Sequence, residues 1–166
     1  MNYSSRKTTK EDWNQIKSIY KAGIATGNAT FESQAPPSYE KWLSKAHQDC
    51  TLVLHEGNTI LGWCRLSPVS DRTVYLGVGE VSIYVHPDSK GKGIGNLLLQ
   101  LLIKASEAHG FWTLQASIFP ENIASIHLHQ KNGFREVGIR ERIGKMDGVW
   151  RDNVFLERRS VLVGMN

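Results

Sequence analysis

The sequence is poor in the features that mark several large functional classes. Cysteine occurs only twice, at Cys50 and Cys64, with no Cys-x-x-Cys pair and no metal-type spacing, which argues against a disulfide scaffold or a zinc ribbon. Each lies in a strand-like apolar segment, as a buried thiol in a reducing compartment would. No apolar run reaches the roughly 18 residues of a membrane span. The most apolar stretch, residues 94–105, is interrupted by Asn96, Gln100 and Lys104. The opening Met1-Asn2-Tyr3-Ser4-Ser5-Arg6 has no apolar signal core, so a cytoplasmic location away from membranes is expected. No internal repeat is present. Basic residues exceed acidic ones by four, yet no basic run is longer than Arg158-Arg159 and no aromatic-interleaved patch occurs. Nucleic acid is therefore not expected as a partner, and a pocket for a small polyanion fits the charge better.

What is present is an ordinary globular composition, 40% apolar and 22% charged over 166 residues, the size of one domain with one core. We expect a single domain over residues 1–166. After a short first strand, Thr9-x-x-Asp12 resembles a capping box. Trp13, Ile16, Ile19 and Tyr20 then recur at helical spacing, predicting a helix over residues 10–25. Residues 27–32 and Pro36-Pro37 read as loop, and Ser38 caps a short helix carrying Tyr39, Trp42 and Leu43. Strands follow at residues 51–55 and 59–66 around a Glu56-Gly57-Asn58 turn. A loop, residues 67–72, leads into a long strand predicted over residues 73–85. Along it Val81, Ile83 and Val85 alternate with Glu80, Ser82 and Tyr84. Beyond a glycine-rich turn, Ile94, Leu97, Leu98, Leu101, Leu102 and Ala105 form a helical stripe that Gly110 terminates. A strand at 111–118, a helix opened by Asn122, and strands at 134–141 and 150–157 complete a mixed α/β order.

The turn Lys90-Gly91-Lys92-Gly93-Ile94-Gly95 joins a strand to a helix. Glycines there let the backbone approach a ligand closely, and a helix N-terminus offers unpaired N–H donors and a favourable dipole for an anion such as phosphate. Two nucleotide readings fail on spacing. Gly91-x-Gly93-x-Gly95 breaks the Gly-x-Gly-x-x-Gly period of a dinucleotide fold, and Gly91-Lys92 is followed by Gly93 where a Walker loop needs a hydroxyl.

The segment Val81-Ser82-Ile83-Tyr84-Val85-His86-Pro87, followed by residues 90–95, resembles the cofactor motif of the GNAT acetyltransferase superfamily, with Lys90 in the place of the usual Gln or Arg. A second block, Ser125-x-x-Leu128-His129-x-x-x-Gly133-Phe134, is similar to the phosphinothricin acetyltransferase-like branch. So are Thr30-Phe31-Glu32, Pro68 with Arg72 and Tyr75, and Met146-Asp147-Gly148 with Trp150 and Asp152. The resemblance implies the GNAT fold, an α/β (α+β) domain with a central mixed, mostly antiparallel twisted sheet flanked by helices. It implies acetyl-CoA as co-substrate, a small-molecule amine as acceptor, no metal, and a homodimer.

Residue by residue, the resemblance places the pyrophosphate on backbone N–H groups of Gly91 to Asn96, near Lys90 and Lys92. It pairs the pantetheine arm with the strand at Ile83, Tyr84 and Val85. Asn122 and Ser125 share a helix face with His129 and are expected to contact the cofactor. Glu80 is the expected general base, because an alkyl amine with a pKa of about 10 must lose a proton before it attacks a thioester. His129 stands where many members carry the tyrosine that protonates the departing thiolate, which makes it the candidate general acid. His127 and His129, two apart on a helix, point to different sides and are not expected to share a metal ion. For the acceptor, Arg72 is expected to hold a carboxylate, with Phe31, Glu32, Tyr75 and Asp147 nearby and Lys145 and Arg151 as further candidates. The reading that follows is direct acetyl transfer in a ternary complex to an amino acid-like amine of phosphinothricin or methionine sulfoximine type. Transfer to a polyamine, an aminoglycoside or a protein amine, and non-catalytic acyl-CoA binding, are the alternatives.

Overall fold

The computed structural model describes residues 2–166. Seven strands form one sheet in the order β1-β2-β3-β4-β5-β7-β6. They are β1 (Ser4–Lys7), β2 (Thr51–Glu56), β3 (Thr59–Pro68), β4 (Val78–Val85), β5 (Thr113–Ile118), β6 (Arg135–Met146) and β7 (Val149–Arg159). Every neighbouring pair is antiparallel except β4 and β5, which run parallel. Among the described residues the α-helices are α1 (Trp13–Ala25), α2 (Tyr39–Leu43), α3 (Ile94–Ala108) and α4 (Ile123–Lys131). The parallel pair requires a crossover, and α3 supplies it.

Helices cover both faces of the sheet because the strands carry apolar side chains on both. Leu54, Cys64, Leu66, Val81, Leu114 and Leu156 pack with α3 through its buried Ile94, Leu98, Leu99 and Leu102. Each of those helix side chains contributes about 1.5–3 kcal/mol by burial. On the other face Ile16, Ile19 and Tyr20 of α1 and Trp42 of α2 pack on Val53, Ile60 and Trp63. The Trp63 indole N–H also donates to the Ile16 carbonyl at 3.3 Å.

Several boundaries differ from those expected. The first helix opens with a single 3-10 turn, Lys10–Asp12, before α1 begins. There the Asp12 carboxylate accepts the Thr9 N–H at 2.8 Å, the return half of a capping box, and also binds Arg6. The strand predicted from residue 73 starts only at Val78, because its partner β3 ends at Pro68, opposite Gly79. Thr73–Tyr75 instead forms a 3-10 turn, with Val74 and Leu76 exposed. The last two strands are longer than predicted. Asp147 and Gly148 both take positive φ, 49° and 80°, in the two-residue turn that closes them into a hairpin.

Candidate active site

The parallel ladder between β4 and β5 covers only Val78–Thr113, Gly79–Leu114 and Glu80–Gln115. Beyond Glu80 the two strands separate, although β4 runs on to Val85 and β5 to Ile118. The separation opens a cleft of about 1320 Å³ that starts at the glycine turn, runs along β4 and ends under the loop that follows α1. All of the expected catalytic and cofactor residues except Lys92 line it, as do Phe31 and Glu32, and the fork explains why they meet.

At the phosphate end, Gly91 and Gly93 adopt φ of 75° and 78°. A side chain is strained there, and nothing lies within 4 Å of the place a Cβ would occupy, so the cradle is open. The first intrahelical bond of α3 runs from Leu97 N–H to the Gly93 carbonyl, leaving the N–H groups of Ile94, Gly95 and Asn96 without helical partners. These donors fit a pyrophosphate. Lys90 lines the cleft, whereas Lys92 does not. Gly95 serves packing as well: a Cβ there would lie 3.2 Å from Leu128 on α4.

Along β4, Val81, Ile83 and Val85 face the α3 core as the alternation predicts. Glu80 and Ser82 line the cleft. Tyr84 is on the same side, but its ring stacks on Trp63 at 4.6 Å and meets Tyr20 edge-on at 4.9 Å. Its side chain therefore packs under α1, and burial pushes its phenol pKa up. What Tyr84 offers a cofactor arm is its backbone. At the fork itself Gln115 donates from Nε2 to Glu80 Oε2 at 3.2 Å, which holds the carboxylate toward the cleft.

The α4 residues are more engaged than the sequence suggests. The Asn122 side chain caps α4 by accepting the Ser125 N–H at 3.3 Å, and its amide donates to the Asn28 carbonyl. Asn96 Oδ1 accepts from Asn132 at 2.9 Å, tying α3 to α4. His129 is buried against the edge of Phe134, with Nδ1 2.7 Å from the Ser125 carbonyl. A carbonyl only accepts, so Nδ1 carries the proton and Nε2 is an acceptor while the ring is neutral. Burial lowers its pKa, favouring that neutral form. His127, two residues earlier, is exposed where His129 is buried.

Of the expected acceptor residues, Phe31 and Glu32 line the cleft. Phe31 is held edge-to-face on Phe119 at 4.8 Å. Arg72 and Tyr75 stack on each other at 5.4 Å and lie outside the cleft wall, as does Asp147 in its hairpin turn. Lys145 sits over the exposed Trp150 ring. Arg151 works on the loop after α1, donating to the Gly27 carbonyl, to Asn28 Oδ1 and to Glu121.

Sequence reasoning missed the third wall, which β5 and the β6–β7 hairpin build from Ser117, Phe119, Arg140, Ile143, Gly144 and Asn153. One signal was readable. Val154 and Leu156 face the core, so Asn153 and Phe155 belong to the face that carries Glu80.

Neither cysteine reaches this cleft. Cys50 and Cys64 are buried in the α3-side core, where burial pushes the Cys50 thiol up to about 11 and the Cys64 thiol higher. Both are poor nucleophiles in consequence.

Comparison with known proteins agrees with this geometry. The sequence model described as the acetyltransferase (GNAT) family matches residues 13–134. A phosphinothricin N-acetyltransferase of Streptomyces coelicolor is 30% identical over 160 residues, 92% of this chain and 94% of its own length. An L-methionine sulfoximine/L-methionine sulfone acetyltransferase of Pseudomonas aeruginosa is 30% identical over 164 residues, covering 95% and 94%. Among solved structures, a GNAT superfamily phosphinothricin acetyltransferase from Sinorhizobium meliloti, in complex with acetyl-CoA, superposes with a TM-score of 0.88 at 28% identity. That match covers 100% of this chain and 92% of the other.

Proposed function

The chain belongs to the acetyltransferase (GNAT) family, as an acetyl-CoA-dependent N-acetyltransferase of its phosphinothricin acetyltransferase-like branch, and we propose that it acetylates the amine of a small amino acid-like acceptor with Glu80 as general base. The observation that carries the reading is the position of Glu80. It stands at the point where β4 and β5 part, held by Gln115, with the open edge of β4 on one side and Phe31 and Glu32 on the other.

Acetyl-CoA supplies the activated acetyl thioester. The chain's own residues hold and deprotonate. The open N–H groups of residues 94–96 and the turn at Gly91 and Gly93 bind the pyrophosphate, and the unpaired edge of β4 aligns the arm. Glu80 accepts a proton from the acceptor's ammonium, directly or through one water, so that the neutral nitrogen can form the C–N bond as the C–S bond breaks, and the second proton shed by the nitrogen neutralises the departing CoA thiolate. Transfer is direct, in a ternary complex. The buried, weakly acidic thiols of Cys50 and Cys64 support that choice, since neither can carry an acyl group in the cleft. Cytoplasmic residence and a homodimer complete the reading. For the dimer the support is exposed apolar surface on the last hairpin, at Ile139, Val149 and Trp150, and sedimentation of the purified chain measures it.

The test is thiol release from acetyl-CoA across a panel of carboxylated amines, polyamines, aminoglycosides and peptide amines. Turnover restricted to polyamines or peptides would remove the amino acid acceptor. Glu80→Gln is expected to lower kcat about 100-fold while leaving acetyl-CoA affinity unchanged. Equal loss of both would show that Glu80 maintains the cleft and does not act as the base.

A further inference from the structure

We propose that Arg140 and Asn153, and not Arg72, recognise the acceptor: Arg140 takes its carboxylate and Asn153 Oδ1 takes an N–H of its amine. The proposal rests on the reading of the cleft as an amino acid acetylation site and names the residues that would select such an acceptor. Arg140 and Asn153 are register partners on β6 and β7, and both line the cleft. Ser117 on β5 is the register partner of Phe155, two residues beyond Asn153. All four lie on the sheet face that carries Gln115 and Glu80, because Leu114, Ala116, Val154 and Leu156 point into the opposite core.

The guanidinium of Arg140 is fixed but not neutralised. Nη2 donates to Ser117 Oγ at 2.6 Å, and the group lies over the Phe155 ring at 4.7 Å. Three other arginines of the same hairpin each have a carboxylate: Arg135 with Glu157, Arg151 with Glu121 and Arg158 with Glu107. Among the described residues no ion pair involves Arg140. A guanidinium held by one hydroxyl and one ring, with its remaining donors at the wall of a cleft, is preorganised for a bidentate carboxylate.

Asn153 supplies the second observation. It is 7% exposed, and its Oδ1 has no hydrogen-bond partner. A buried carbonyl left unpaired is unfavourable, and an ammonium or amine N–H in the cleft would satisfy it. Spacing then links this point to the chemistry. Gln115, which holds Glu80, and Ser117, which holds Arg140, are two residues apart on β5, about 7 Å. A small zwitterion with its amine toward Glu80 and its acid toward Arg140 matches that separation. A polyamine would place a second cation against Arg140.

The experiment compares wild type, Arg140→Gln and Asn153→Leu with a carboxylated amine and its neutral carboxamide, at saturating acetyl-CoA. Arg140→Gln is expected to raise KM for the acid about 10- to 100-fold with kcat little changed, and to leave KM for the carboxamide and for acetyl-CoA as in wild type. Asn153→Leu is expected to raise KM for both acceptors while its Tm stays level or rises, an outcome a purely structural role would not give. Arg140→Lys, which keeps charge without the fork, should fall between, and it serves as the readout if Arg140→Gln melts early. If wild type acetylates carboxylated amines but Arg140→Gln and Arg140→Lys treat acid and carboxamide alike, the assignment of Arg140 is wrong while the acceptor class stands. If wild type transfers to polyamines and ignores carboxylated amines, the acceptor class fails and this proposal fails with it.

Discussion

His129 shows how much a single side chain's surroundings decide. Its place on α4 matches a family position associated with protonating the leaving thiolate, but its Nδ1–H is committed to the Ser125 carbonyl and the ring is buried against Phe134. A neutral ring in that tautomer has no proton on Nε2 to donate, so it is better suited to accept a hydrogen bond than to act as an acid. His129→Gln is therefore expected to change kcat less than about tenfold, well short of the loss at Glu80. The same burial has a consequence for stability. Because the folded pKa lies below the unfolded value of 6.5, the unfolded chain binds the proton first, and stability falls as pH drops below 6.5 toward the folded pKa. Melting curves between pH 7.5 and 5 should show a smaller acid-side decline for His129→Gln than for wild type. An equal decline in both would mean that another group drives it.

Elements differ sharply in how legible they were. The strand, glycine turn and α3 were readable because each rests on local pattern: alternation along β4, φ that only glycine adopts easily at 91 and 93, and an apolar stripe down α3. Apart from the alternation around Val154 and Leu156, the hairpin wall was not readable, since it depends on contacts between distant residues. Between the Arg140–Asn153 and Gly144–Arg151 pairs, β6 inserts extra residues, with Arg142 at a φ of 46° and its N–H held at 2.7 Å by Asp152. This bulge turns Ile143 and Gly144 into the cleft, where Gly144 meets Phe31 from the loop after α1. A Cβ at Gly144 would lie 2.7 Å from the Phe31 ring. Gly144→Val is expected to displace Phe31, destabilise by about 1–3 kcal/mol and raise the acceptor KM more than the acetyl-CoA KM. Steady-state kinetics with each substrate varied, together with Tm, would check this. A rise confined to acetyl-CoA would place Phe31 at the other end of the cleft.

For the molecule as a whole, the departure from a regular sheet is the functional feature. A complete β4–β5 ladder would pair the backbone of residues 81–85 and leave no cleft, so the fold gives up those hydrogen bonds at the fork and holds the strands by packing on both faces. Backbone groups open at the β4 edge and at the start of α3 are then the ones a long, phosphate-ended ligand would satisfy together. Saturating acetyl-CoA should slow amide hydrogen exchange at residues 81–85 and 93–96 as one unit, with β1 and the tip of the β6–β7 hairpin unchanged. At about 100 times Kd, binding only the folded state adds about 2.7 kcal/mol, and Tm should rise by roughly 5–10 °C. Gly93→Val, which strains a φ of 78°, should lose the protection at both segments even though it alters only the turn. Protection that persisted along β4 in that variant would mean that the arm binds without its phosphate anchor, and the fork and the glycine turn would then be separate sites.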